Sequence, residues 1–313
     1  MTFPETIRSH GTLLTEGAVI EPLRRASSVE LDPHILHAAF VFDPDRRAAL
    51  SNLHRSYIDI AVAYDLPIVV CTPTWRASPE RVRRATNRSC REINEEAARY
   101  LLEVRSEYGS FAQKVSIGGL LGCAGDAYDP TASLSPAESA AFHEEQASVL
   151  ADAGVDFLLA ATLPAAAEAH GMAVAMGKQS LPYVLSFVLR PDGTLLDGTP
   201  LHEVIARIDA EVSPRPFCYW ANCVHPSVFT KAMQNESRSS VPVTKRMIGL
   251  QANTSALPPE SLEGSAAIRT EEPSAFASSM LHVKEVFGTK VLGGCCGTEP
   301  SHIRHLAERI RRR

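Results

Sequence analysis

Short β-branched apolar runs alternate along the chain with longer stretches in which apolar residues recur every three or four positions. The runs at 12–14, 38–41, 68–71, 114–118, 157–161, 183–188, 217–222, 247–251 and 290–292 read as strands. The stretches at 91–107, 136–153, 165–176, 201–208, 226–233, 273–287 and 299–310 read as amphipathic helices. Strand and helix in repeated alternation give parallel strands with helices packed outside. Roughly eight such units in a chain of this length fit an α/β fold of the single (β/α)8 TIM barrel type, with a doubly wound open sheet as the competitor. The placement of chemistry favours the barrel. Polar and sulfur-bearing residues gather where strands end, at Thr15-Glu16, Cys71-Thr72, Gly118-Gly119, Thr162, Asn222-Cys223, Asn253 and Cys295-Cys296, and that is the face where barrel enzymes build their sites.

Neither a linker nor an internal repeat interrupts the pattern, so residues 1–313 read as one domain. The polar, Ser-rich segment 234–245 and the segment 190–200, around Pro191-Asp192-Gly193, read as loops, the second of them hairpin-like. Arg76, Arg81, Arg83, Arg84, Arg88 and Arg91 read as one solvated helix face, with an anion or subunit contact as the alternative. Arg311-Arg312-Arg313 reads as a frayed end.

Composition narrows the class. Apolar residues at 45%, charged residues at 21% and a formal charge of −5 describe an ordinary soluble domain, with no reason to expect nucleic acid or an anionic membrane as partner. The first residues lack a basic stretch followed by an apolar one, and no apolar run approaches the ~20 residues of a membrane span, so a cytoplasmic protein is expected. Seven cysteines, an odd number, point to reduced thiols in metal or catalytic use. No strongly apolar appendage marks an assembly surface.

Two of those cysteines are adjacent, in Gly293-Gly294-Cys295-Cys296-Gly297-Thr298, and a third, Cys223, also follows a strand-like run. Neighbours in sequence form a disulfide only with strain, whereas a metal can hold both. Three thiolates converging from two strand ends with a fourth position open describe a catalytic zinc. The glycines fit, because two successive side chains aimed at one point demand unusual backbone angles. A zinc so ligated draws an incoming thiol below its free pKa, which leads to attack of that sulfur on an activated carbon. Cys71, Cys90, Cys123 and Cys218 stand singly in apolar or helical settings and read as small buried hydrophobes. His143 reads as structural, and His225, two residues after Cys223, as a loop histidine or an outer partner of the metal.

The double-cysteine frame, with Asn222-Cys223 upstream, resembles the homocysteine S-methyltransferase family, which includes betaine-dependent and S-methylmethionine-dependent enzymes. Thr72-Pro73-Thr74-Trp75-Arg76-Ala77 is similar to the family's Thr-x-Thr-Tyr-x-Ala segment after the second strand, and Ser116-Ile117-Gly118-Gly119 to its Ser-Ile-Gly-Pro turn. Phe142-His143-x-x-Gln146 with Ala153-Gly154-Val155-Asp156 resembles its fourth helix and strand, and Asn253 the asparagine of its seventh-strand loop.

The resemblance implies a zinc barrel in which Cys223, Cys295 and Cys296 bind Zn2+ and a thiol takes the open position. A methyl group would pass in line from a sulfonium or quaternary ammonium donor, with homocysteine giving methionine. Trp75 suits the donor side, through a cation–π contact, or is a packing residue at the barrel mouth. Thr72 and Thr74 would orient that ring or touch substrate. Thr162, Asn222 and Asn253 belong to the substrate-binding set that the resemblance suggests. Two acids that the family uses for the homocysteine ammonium differ here: the first strand ends in Thr15-Glu16-Gly17, and Ala161 stands where glutamate is common. Removing the carboxylate from a buried ammonium costs about 2–5 kcal/mol. Either Glu16 and Glu21 rebuild the pocket, or the acceptor is a thiol without an α-amino group. Zinc used for hydrolysis or elimination, and a silent thiol or metal sensor, are further alternatives. Cobalamin and folate modules do not fit in 313 residues.

Overall fold

Eight strands pair in chain order, each parallel to the next, and the last returns to the first. They are β1 (Leu13–Thr15), β2 (Ile68–Cys71), β3 (Val115–Gly122), β4 (Phe157–Leu163), β5 (Tyr183–Phe187), β6 (Cys218–Val224), β7 (Met247–Ala252) and β8 (Val291–Gly294). The computed structural model describes residues 1–25, 30–236, 243–258 and 270–312, and in it these strands close a (β/α)8 barrel with helices between them.

Every strand is covered on both faces, which is why the strands read as continuous apolar runs. The barrel interior is filled by Leu13, Val69, Phe157, Leu159, Val184, Trp220 and Val291. The indole of Trp220 lies across β7 at Gly249, where a Cβ would stand 2.3 Å from its ring, so only glycine fits there. The helix Phe3–Ser9, started by a capping box between Thr2 and Glu5, closes the N-terminal end of the barrel. Its Phe3 stacks on Phe157 with centroids 3.8 Å apart and meets Trp220 edge-on at 6.3 Å. Outside, Leu14, Ile58, Ile68, Leu101, Leu158, Leu185 and Leu250 join the strands to the helices in one continuous core.

Three expectations change. Residues 38–41 are no strand: Ala38–Phe42 is a 3-10 turn, in which Phe40 N–H donates to His37 O at 3.1 Å. Its apolar side chains pack outside the barrel beside the long helix Pro44–Tyr64, which Asp43 caps through the amides of Asp45 and Arg46. Ser116-Ile117-Gly118-Gly119 is no turn but the middle of β3. The supposed loop at 234–245 begins inside the helix Pro226–Glu236 and ends in the helical turn Val243–Arg246, while 237–242 lie outside the described residues. The excursion at 190–200 is hairpin-like as expected, with antiparallel bridges Leu189–Leu195 and Thr194–Pro200. Among the described residues no helix is long and apolar enough to cross a membrane.

Candidate functional site

The C-terminal ends of β6 and β8 bring the three expected cysteines together. The sulfurs of Cys223, Cys295 and Cys296 lie within 4.8 Å of one another, with Cys296 Sγ 4.0 Å from each of the other two. All three are free thiols. Tetrahedral zinc at Zn–S of about 2.3 Å spaces its sulfurs about 3.8 Å apart, so the donor set fits such an ion in both chemistry and spacing. The proton balance points the same way. Cys223 is held well below the usual thiol range because the thiols of Cys295 and Cys296 donate to its sulfur, and Cys295 and Cys296 are pushed up chiefly by the same contacts. Without a cation only one thiolate is readily formed; a divalent ion stabilises all three.

A backbone frame fixes the sulfurs. Cys223 has left-handed φ, +55°, at a register shift between β6 and β7. Its carbonyl accepts from Asn253 Nδ2 at 3.1 Å. The Asn222 side chain spans to β4 and β5: Oδ1 accepts from Thr162 N–H at 2.9 Å and Ser186 Oγ at 2.7 Å, and Nδ2 donates to Thr162 Oγ1 at 2.7 Å. After β8, Cys295 N–H donates to Ala252 O at 2.7 Å, and Thr298 Oγ1 donates to Cys295 O at 2.6 Å while accepting from Ala18 N–H at 3.0 Å. Glu21 accepts from Gly297 N–H. Gly293 lies against β1, where a Cβ would fall 1.9 Å from Thr15 Oγ1.

The cysteines open onto a cavity of about 570 Å³, walled by Glu16, Glu21, Thr72, Trp75, Thr162 and Asn222 among others. Such a volume holds a small-molecule ligand. Asn253 is not in its wall; it lines a smaller cavity of about 120 Å³ behind Cys223, shared with His225. His225 pairs with Ser227 and Glu271 and not with the sulfurs, and His143 is buried against Glu168.

With this geometry in place, residues 13–310 match the model of the homocysteine S-methyltransferase family. The chain belongs to that family. Over 175 residues it is 29% identical to the homocysteine S-methyltransferase of Escherichia coli (strain K12), an alignment covering 54% of this chain and 52% of that protein. Over 176 residues it is 26% identical to homocysteine S-methyltransferase 4 of Zea mays, covering 54% and 48%. It thus spans about half the length of the curated relatives it matches. Crystal structures of the homocysteine methyltransferase MmuM from Escherichia coli align at a TM-score of 0.76 in the oxidized and metallated forms, at 22% and 21% identity, over 97% of this chain and 97% and 98% of theirs. At that identity they speak for the fold.

In this member of the homocysteine S-methyltransferase family the two positions singled out in the sequence, Glu16 and Ala161, both line the cavity. Glu16, not Thr15, faces the cavity: Thr15 Oγ1 donates to Glu16 O at 3.0 Å, whereas Glu16 Oε1 accepts from Cys71 N–H at 3.0 Å and Oε2 faces His54 Nε2 at 3.4 Å. Burial pushes Glu16 up to about 8 and His54 down to about 3. Ala161 offers only its carbonyl, which accepts from Trp75 Nε1 at 3.2 Å. The Trp75 ring has the Arg76 guanidinium 4.2 Å from its centroid, so a cation already covers one face. Thr72 and Thr74 spend their hydroxyl hydrogens in a closed ring with Leu120 N–H and C=O, which clasps the Trp75 loop to β3.

Sequence patterns passed over several wall residues. Tyr128, from the loop after β3, lines the same cavity as the three cysteines, and its phenol is pushed up mainly by the charge of the Cys223 sulfur. Gln251 of β7 reaches Thr15 Oγ1 at 3.4 Å. The six arginines between 76 and 91 do not share one helix face: Arg81, Arg83 and Arg84 lie on the helix Pro79–Ala85, Arg91 on the helix Cys90–Ser106, and Arg76 and Arg88 in the segments before each; four are exposed, but Arg76 and Arg81 turn inward and bind the loop 123–125. A lone tyrosine in the acidic run Asp126–Asp129 was the only local signal for Tyr128.

Proposed function

We propose that the protein is a zinc-dependent S-methyltransferase that moves a methyl group from a sulfonium or quaternary ammonium donor to a thiol, with homocysteine as acceptor and methionine as product. The observation that carries this is the thiol triad at zinc spacing on the wall of an open cavity, in a chain of this family. Cys223, Cys295 and Cys296 would hold the ion. When bound, zinc supplies a Lewis acid that keeps an incoming thiol in its thiolate form at neutral pH.

The chain's own work is positioning. Asn222, Asn253 and Thr298 fix the backbone that aims the sulfurs, and Tyr128 shares the cavity wall with Cys223. Trp75, Thr72 and Leu120 form a wall that limits water and confines the donor. The methyl carbon bonds to the acceptor sulfur as its bond to the donor sulfur or nitrogen breaks, and the donor leaves as a neutral thioether or amine. Holding these atoms in line supplies much of the rate. Both partners are small molecules, the setting is the cytoplasm, and neither nucleic acid nor a membrane takes part.

One observation favours a second acceptor. With Ala161 in place of an acid and Glu16 holding a proton at neutral pH, no free carboxylate waits for an α-ammonium at either family position. The alternative is a thiol without that group. The test is methyl transfer by zinc-loaded protein from S-methylmethionine and from betaine to homocysteine and, in parallel, to its des-amino analogue. Methionine formation supports homocysteine; transfer to the analogue alone supports the second acceptor; transfer to neither from either donor overturns the proposal.

A further inference from the structure

We propose that Arg76 and Arg81 form an anion subsite at the β2–β3 rim of the cavity and bind the carboxylate end of a substrate. This deepens the methyltransferase proposal and rests on it for the identity of the ligands. Both arginines line the same cavity as the three cysteines. Both are half-buried, which is unusual for charged groups that lack a carboxylate partner.

Their contacts are to backbone carbonyls. One Arg76 Nη donates to Cys123 O at 3.2 Å and Gly125 O at 2.5 Å; the Arg81 Nη atoms donate to His34 O at 3.4 Å, Ala124 O at 3.0 Å and Gly125 O at 3.5 Å. Among the described residues neither guanidinium forms an ion pair, and Nε and the second Nη of Arg76 and Nε of Arg81 have no partner. The nearby acids form no ion pair with either arginine: Asp126 accepts from Tyr128 N–H, Glu168 from Ala124 N–H at 2.6 Å, Glu21 from Gly297 N–H, and Glu80, whose charge also favours charged Arg81, pairs with Arg84. Arg81 is held below the ordinary guanidinium range by burial and by the charge of Arg76. Two like charges are thus fixed at one rim, with free donors between the carbonyl contacts and, among the described residues, no carboxylate in ion-pair contact with either.

A carboxylate suits the gap better than a neutral group does. The Arg76 guanidinium is held over the Trp75 ring and by one Nη on two carbonyls, which leaves its Nε and second Nη free for a planar, two-oxygen acceptor. Bound there, the carboxylate would anchor a substrate whose other end extends along the cavity towards the sulfurs. The same chemistry could come from the acceptor or from the donor, since homocysteine, S-methylmethionine and betaine are all carboxylates.

The experiment is calorimetric titration of the zinc-loaded full chain with two acid and amide pairs: 4-mercaptobutanoate against its amide, and betaine against its amide. Wild type should prefer the acid by about 10- to 100-fold in one pair, and the pair that shows it identifies the source. Arg76→Gln and Arg81→Gln should each cut that ratio while leaving affinity for the amide unchanged. Arg81→Lys should restore part of it, which a purely structural role would not. Since each ratio is internal to one variant, a destabilised loop that weakens acid and amide alike overturns the proposal. So does an absent preference, or one that survives both glutamine variants. Loss of methyl transfer with an intact acid preference would sink the methyltransferase proposal and leave the subsite standing.

Discussion

Replacing Glu16 with glutamine should flatten the alkaline side of the stability curve. Glu16 is 6% exposed and His54 fully buried, with Glu16 Oε2 and His54 Nε2 3.4 Å apart and, among the described residues, no other partner for either atom. Burial lifts Glu16 from 4.5 to about 8; burial, helped by the charge of His37, lowers His54 from 6.5 to about 3. The folded pair therefore holds one proton from pH 3 to 8, whichever atom carries it. Unfolded, the two groups hold two protons below their lower pKa, one between 4.5 and 6.5, and none above.

Where the unfolded state binds more protons, stability rises with pH, and where it binds fewer, stability falls. The pair contributes a rise from pH 3 to 4.5, a level stretch to 6.5, and then a decline of about 1.4 kcal/mol per pH unit up to 8. That decline amounts to about 2 kcal/mol. The groups around the pair do not titrate in this window: burial raises Tyr57, Tyr100 and Cys71, which stay protonated, and lowers His37 to about 4, so that it stays neutral when folded. Glutamine keeps an acceptor for Cys71 N–H and removes the proton site. Urea unfolding of zinc-loaded wild type and Glu16→Gln at intervals from pH 6.5 to 8 measures the difference, because metal linkage is common to both. A variant that declines as steeply as wild type would refute the buried proton.

Cys295→Ser and Cys296→Ser should each lose zinc and activity together, while Cys90→Ser, at a thiol buried beside Asn94 and outside the cavity wall, should lose neither; elemental analysis of purified protein decides. Asn222→Ala removes three buried hydrogen bonds and should cost about 2–4 kcal/mol by denaturant unfolding, with a loss of zinc affinity that a purely structural asparagine would not cause. Phe3→Ala should cost about 3–5 kcal/mol by emptying the barrel floor, yet leave the zinc content unchanged. For an amino-thiol acceptor, KM should fall as pH rises from 6.5 to 8, since its ammonium favours ionised Glu16; a pH-independent KM would place the amino group elsewhere.

The strands were legible because burial on both faces leaves an unmixed apolar run, and the convergence of Cys223, Cys295 and Cys296 because adjacent cysteines within glycines have few other uses. The run at 38–41 misled because a short apolar segment has no period to separate strand from turn. The helix Pro44–Tyr64 was overlooked because the polar Ser51 and His54 interrupt its buried face, although Asp43-Pro44 is an ordinary helix start. Arg76 and Arg81 sit among exposed arginines at helical spacing, and spacing does not say which of them meets a loop folding back from β3. Tyr128 and the link between Asn222 and Thr162 join distant parts of the chain and leave no local trace.

The aim of the site depends on breaking strand alternation. Along β6, Trp220 points into the barrel and Ala221 out, so Asn222 faces in and Cys223 would face out. The left-handed φ of +55° at Cys223 and the adjacent register shift turn its sulfur to the cavity as well. β4 repeats the device: Leu159 is inside, Ala160 outside, and after Ala161 the left-handed Thr162, φ +64°, also lines the cavity. Each such residue costs about 1–3 kcal/mol, more readily tolerated at a cysteine than at a β-branched threonine. Asn222 offsets much of this, since its three bonds at about 1 kcal/mol each hold Thr162 and the β6 end in one unit. The strained threonine and the strained cysteine therefore stabilise each other through one amide. Together with Cys295 and Cys296 after β8, they let the barrel place two consecutive side chains on the cavity at three strand ends, where regular pleating would allow one.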